Sequence, residues 1–167
     1  PLSLKSLTIA NCGPAIDSPA IENFIRLSSG TIESLIIERM KHLTSITIPN
    51  CRNLKSISFR RCIILSELSL DGDNENETVS EIDLSYTAFS DETLARLLTQ
   101  TRFANLKDVN LEGCKHLVSP IVSGASIQKL VFDFCSSLQK VKFDNCRSLT
   151  ELHMCYTRIN DHSLELI

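Results

Sequence analysis

The chain has 167 residues, 43% of them hydrophobic, with a formal net charge of −3. That length buries a real core as one domain, and the dispersed, outnumbered basic residues argue against a nucleic-acid footprint. The longest apolar run is CIIL at 62–65, far short of the roughly 20 residues that cross a bilayer.

Taken in order, the chain is one unit written repeatedly. The unit L-x-x-L-x-L first occurs at Leu4, Leu7 and Ile9. Behind it, Ser18-Pro19 reads as an N-cap with Pro at the first helical position, and Ile21, Phe24 and Ile25 share one helical face. The unit returns at Ile32, Leu35, Ile37; at Leu43, Ile46, Ile48; at Leu54, Ile57, Phe59; and at Leu65, Leu68, Leu70. The stretch 71–78 is acidic, lacks apolar residues and reads as a solvated loop. Val79, Ile82 and Leu84 resume the unit. Asp91 then reads as a helix cap, with Leu94, Leu97 and Leu98 on one face.

Further copies lie at Leu106, Val109, Leu111; at Ile127, Leu130, Phe132; at Leu138, Val141, Phe143; and at Leu149, Leu152, Met154. Leu117–Val122 is a degraded copy with Pro120 in place of an apolar residue, predicted to be extended but poorly paired. Asp161 and Leu164 predict the start of a third helix that breaks off at Ile167.

The major copies start 28, 22, 25, 27, 21 and 22 residues apart. Units of this length bury their apolar side only by stacking on their neighbours, which gives a solenoid. The predicted fold is α/β: one parallel sheet of about seven short strands, with mixed helical and extended return legs. The intervening copies at Leu43, Leu65 and Leu138 fall on the opposite side from the sheet. Residues 81–94 and 151–164 align without a gap, sharing Glu, Tyr, Thr, Asp and Leu. Residues 1–167 read as a single repeat domain, a monomeric piece of a longer array.

At LKDVNLEGCKHL (106–117) the unit becomes L-x-x-V-x-L-x-G-C-x-x-L. This pattern, with ANCG at 10–13 and the two Y-T-x-(F/I)-x-D-x-x-L segments, resembles the cysteine-containing subtype of leucine-rich repeats. That subtype is found behind F-boxes in ubiquitin-ligase substrate receptors. LTSITIP (43–49) is similar to BspA-like repeats of surface proteins. The resemblance implies a protein-binding scaffold in the shape of an arc, with a leucine-rich-repeat solenoid fold.

The seven cysteines contain no C-x-x-C pair, and six share one phase of the repeat. They read as buried packing residues of a reduced, cytoplasmic protein. Cys114 with His116, and His153 with Cys155, are the only close Cys/His pairs, and a packed Cys beside a surface His explains both better than metal ligation. No metal, cofactor or catalytic residue is predicted, and no phosphate-binding glycine loop occurs. The stretch from Asp71 begins like a calcium loop but has Asn76 where Gly is needed and Ile82 where Glu is needed. Asn76 also opens a glycosylation sequon, relevant only to the alternative reading of a secreted or cell-surface recognition protein.

Function therefore falls to the outward positions of the strands. The N-terminal half carries Arg39, Arg60 and Arg61; the C-terminal half carries acids around three aromatics. The predicted partner-binding set is Arg60, Arg61, Asp83, Tyr86, Asn110, Glu112, Val131, Asp133, Phe134, His153 and Tyr156. Exposed aromatics rimmed by polar groups are the usual anchors of protein interfaces. The expected partner is another protein, with no nucleic acid and no membrane insertion. The expected role is that of an intracellular adaptor, effector or substrate-receptor-like module.

Overall fold

A computed structural model describes residues 2–71, 79–99 and 103–166. In chain order the elements are β1 (Ser6–Ala10), α1 (Ser18–Leu27), β2 (Ser34–Glu38), β3 (Ser45–Ile48), β4 (Ser56–Ser58), β5 (Glu67–Leu70) and β6 (Glu81–Asp83). Then follow α2 (Asp91–Leu98), β7 (Asp108–Asn110), β8 (Ile121–Ser123), β9 (Lys129–Val131), β10 (Val141–Asp144), β11 (Glu151–His153) and β12 (Leu164–Leu166).

The fold is a solenoid. Its front is a seven-stranded parallel sheet in the order β1-β2-β4-β6-β7-β9-β11, one strand per major copy of the unit. All strands pair in register on the fourth residue of the unit: Leu7, Leu35, Ile57, Ile82, Val109, Leu130 and Leu152. Each apolar side chain therefore stacks on its equivalents in the turns before and after. Ile37, Phe59, Leu84, Leu111 and Phe132, the sixth residues of the inner units, are fully buried. Ile9, Leu149, Leu152 and Met154, in the end turns, are only partly covered, as expected where a neighbour is missing on one side.

The return legs are mixed, as the sequence predicts. β3 pairs with β5, and β8, β10 and β12 form a second back sheet. The helices fill the remaining back positions, α1 against β3 and α2 against β5 and β8. Of the predicted acidic loop only Asp71 lies within the described residues; its N–H bonds the Ile48 carbonyl (2.8 Å) and its carboxylate meets Arg26 (3.5 Å). Asn76 lies outside the described residues.

Four local expectations need correction. The cap of α1 is Asp17, whose Oδ1 accepts from the Ala20 N–H (3.0 Å); the predicted cap, Ser18, donates instead to the Ser45 carbonyl (2.6 Å). Likewise Ser90, not Asp91, caps α2, in a reciprocal capping box with Thr93. In both helices the extended residue one position earlier carries the side chain that reaches the orphan amide.

Leu117–Val122 is not poorly paired, because β8 aligns with β10 and the Pro120 carbonyl accepts from the Lys142 N–H (3.0 Å). Pro120 precedes the strand's first residue, where its missing N–H breaks no ladder bond. Finally, the third helix is absent. Leu164–Leu166 runs as β12 beside β10. Asn160 donates its N–H to Ser163 Oγ (2.8 Å), as Ser90 does to Thr93 Oγ1 (2.9 Å). The same start motif opens a helix in one turn and a strand in the other. Pairing with β10 outweighs the weak preference of so short a helix.

Candidate functional site

Every strand of the front sheet ends in the same bend. The eighth residue of each unit lies in the left-handed region: Asn11 (φ 56°), Arg39 (55°), Arg61 (60°), Tyr86 (57°), Gly113 (68°), Phe134 (59°) and Tyr156 (56°). Its N–H donates to the carbonyl of the seventh residue of the next turn. These bonds run Asn11 to Glu38, Arg39 to Arg60, Arg61 to Ser85, Tyr86 to Glu112, Gly113 to Asp133 and Phe134 to Cys155, all between 2.7 and 3.0 Å. The sheet is thus prolonged by a ladder of strained corners. Asn and Gly enter this conformation readily, whereas an Arg, Phe or Tyr there costs roughly 1–2 kcal/mol.

The ninth position explains the cysteines. Cys62 Sγ bonds the Ile37 carbonyl (3.3 Å), Cys114 the Leu84 carbonyl (3.2 Å) and Cys135 the Leu111 carbonyl (3.1 Å). Each acceptor is the sixth residue of the turn before. Where Thr replaces Cys, its hydroxyl bonds the sixth residue of its own turn: Thr87 to Leu84 (2.6 Å) and Thr157 to Met154 (2.9 Å). In these five turns the position holds a small side chain that donates to a carbonyl at the bend; Met40, fully buried at the same position, is the exception. Burial pushes the Cys51 and Cys62 thiols up to about 11 and Cys135 to about 12. Such thiols do not supply a thiolate nucleophile near neutral pH. Cys114 is buried while His116 is exposed, so that pair shares no site. Among the described residues, no three His, Cys, Asp or Glu side chains gather as metal ligands.

Several predicted site residues build the bend. Asp83 Oδ1 accepts from the Ser85 N–H (2.8 Å) and Asn110 Oδ1 from the Glu112 N–H (3.0 Å). Asp133 Oδ1 reaches across a turn to the Cys155 N–H (2.7 Å). These side chains hold backbone amides at the corner. Ser85 itself is fully buried. Val131 is half-buried on the sheet, and His153 Nε2 lies 3.7 Å from Glu151, which also pairs with Lys129 (2.9 Å).

The remaining residues gather along the ridge of eighth positions, where Arg61, Tyr86 and Phe134 each meet the next turn. The Arg61 guanidinium sits over the Tyr86 ring, 5.5 Å from its centroid. Tyr86 lies across Gly113, where an added Cβ would stand 2.4 Å from ring carbons, and its hydroxyl donates to Glu112 (2.7 Å). That bond, together with burial, raises the Tyr86 phenol above its ordinary pKa. Beyond Gly113 the ridge resumes with Phe134 and Tyr156, stacked at 4.8 Å and 46% and 76% exposed.

Two concavities flank this ridge. A trough of about 410 Å³ on the sheet is lined by Ser56, Ser58, Glu81, Asp83, Asp108 and Asn110, among others. Past the strand ends, a groove of about 550 Å³ is lined by Asn11, Arg39, Lys41, Arg61, Ile63 and Tyr86.

Comparison with known proteins returns no match. No family model matches the chain, and neither a curated protein nor a solved structure does.

The structure joins Arg61, Tyr86 and Glu112 in one cluster and Phe134 with Tyr156 in another. Arg60 stands beside the first, its charge acting on the Tyr86 phenol. Arg39, Lys41 and Ile63 were absent from the predicted set. For Arg39 the signal was Asn11 and Gly113 at the same repeat position; Lys41 and Ile63, two residues past the corner, had none. Two residues suited to left-handed backbone in one column mark a bend that aims its side chains.

Proposed function

We propose that this chain is a recognition module that binds another protein along the ridge and the adjoining sheet face, with no catalysis of its own. One observation carries the reading: five bulky residues hold the left-handed corner where Asn and Gly sit more cheaply. Strain that recurs at one position and ends in exposed rings and guanidinium groups is characteristic of binding surfaces. The repeat period and the ninth-position cysteines support a leucine-rich-repeat solenoid of the cysteine-containing kind. An intracellular adaptor, effector or substrate-receptor role suits its seven unpaired thiols, four of them buried and Cys155 exposed.

The test is site-specific photo-crosslinking. Benzoylphenylalanine at position 134 should give a discrete protein adduct in lysate. Excess unlabelled protein should compete it away, and excess of the Phe134→Ala, Tyr156→Ala double variant should not. The same probe at the exposed back-leg residue Ser69 should give none. Equal adducts from the two positions would sink the reading.

A further inference from the structure

We infer that the groove beside the first half of the ridge takes an acidic stretch of a partner polypeptide, one carrying carboxylates spaced around an apolar side chain. The inference rests on the proposed protein-binding role and names the chemistry of one part of it.

Charge points to this occupant. The chain as a whole is net negative, yet the groove presents Arg39, Lys41 and Arg61. Elsewhere in the same turns the cations are claimed by neighbours. Lys5 and Lys55 both bind Glu33 at 2.7 Å, Arg26 meets Asp71 and Arg96 meets Glu67. Arg39, Lys41, Arg60 and Arg61 stand in no ion pair among the described residues. Of the acids one residue before a corner, Glu112 accepts from the Tyr86 hydroxyl (2.7 Å) and Glu38 from Ser58 Oγ (3.4 Å).

Geometry sharpens the charge argument. Arg39 and Arg61 are aimed by corners that cost energy to hold. The Tyr86 ring supports one face of Arg61, which leaves the N–H edge free for the two oxygens of a carboxylate. Stacking also lowers the ordering cost of binding. Ile63, 55% exposed, gives the groove an apolar wall, which suits a side chain between acidic residues.

A polyphosphate fits less well. The carboxylates of Glu38, Asp83 and Glu112 stand one to three residues before the ridge and would repel a continuous line of phosphates. Discrete carboxylates on a peptide avoid them.

The experiment is fluorescence anisotropy with a short fluorescein-labelled peptide in which Glu and Asp alternate with Leu. Saturable binding that weakens with added salt is expected. Arg39→Gly with Arg61→Gly should weaken it by about tenfold or more, as loss of charge-assisted contacts does. Glycine suits the left-handed corner, so this variant keeps the fold; Lys41→Gln, away from the corner, should weaken binding in the same direction. Arg147→Gln, which removes an exposed cation outside the groove, should leave it unchanged.

The inference is overturned by no binding, by equal binding of the peptide with Lys in place of its acids, or by full binding to the double glycine variant. Binding to phosphatidylserine vesicles or a polyadenylate strand in place of the peptide overturns it too. If the cross-link at position 134 survives while the peptide fails, the groove assignment is wrong and the binding role stands.

Discussion

At Arg39, Arg61 and Tyr86 the ridge offers cations and a phenol whose ring is held between a guanidinium and the bare Cα of Gly113. At Phe134 and Tyr156 the same backbone corner offers a stack of two rings facing solvent. The hydrogen-bond ladder beneath them is the same, with N···O distances of 2.7–3.0 Å throughout. The bend therefore fixes where each side chain projects and leaves its chemistry open. Gly113, at the boundary, separates a polar half from an apolar half.

The sharpest way to break this contrast is to give Gly113 a side chain. Gly113→Ala places a Cβ where the Tyr86 ring lies, at a φ of 68°. Tyr86 must swing away from Glu112 and Arg61, and left-handed strain is added, together about 2–3 kcal/mol of lost stability by urea denaturation. The Tyr86→Gly background should remove the part due to the clash and leave the left-handed strain, because only the clash partner is gone. An unaltered midpoint for Gly113→Ala would show that Tyr86 does not need the gap.

A smaller effect separates strain from stacking. Arg39→Gly relieves a strained corner whose side chain forms no ion pair among the described residues, so stability should rise by about 0.5–1 kcal/mol. Tyr156→Gly relieves the same strain but removes the ring stacked on Phe134, which offsets the gain by about 1 kcal/mol. Thermal midpoints should therefore rise for the first variant and stay level or fall for the second. Equal shifts would mean the stack contributes nothing.

The smallest effect contrasts the open arginines with cations already paired. Hydrogen bonds from Lys5, then Lys55, hold the Glu33 carboxyl at about 2, below its ordinary 4.5. A carboxyl depressed in the folded state stabilises above its unfolded value, roughly 4.3, and loses that contribution as pH falls toward the folded value. Because the group is partly exposed and both lysines are exposed, solvent and salt keep the effect small. Glu33→Gln should flatten the fall of the urea midpoint between about pH 5 and pH 2. A slope identical to that of the parent protein would remove Glu33 as its source.

The front sheet was legible in the sequence because one physical demand repeats. Residues such as Leu35, Ile57 and Ile82 must meet in register, and a period-two pattern encodes that. What failed was settled by partners rather than by pattern. β12 became a strand because β10 offered an open edge. Ser90 outranked Asp91 as a cap through a hydrogen bond with Thr93 that local propensity does not specify. The site was half legible: exposed aromatics were visible as such, but Asp83, Asn110 and Asp133 look like surface charge and amide in the sequence while serving the corner. Only the shared column of Asn11 and Gly113 hinted at the left-handed bend.

The common register makes the molecule modular along its axis. Residues 106–126 and 127–148 each comprise a front strand, a corner and an extended return leg, and each meets its neighbours through the same amides and carbonyls. Exchanging the two blocks would keep the backbone amides and carbonyls of each seam in register, but it would move Phe134 onto the gap that Tyr86 occupies and part it from Tyr156. The surface is thus a row of tiles alike in backbone, in which the order of turns decides which side chains meet on the face shown to a partner.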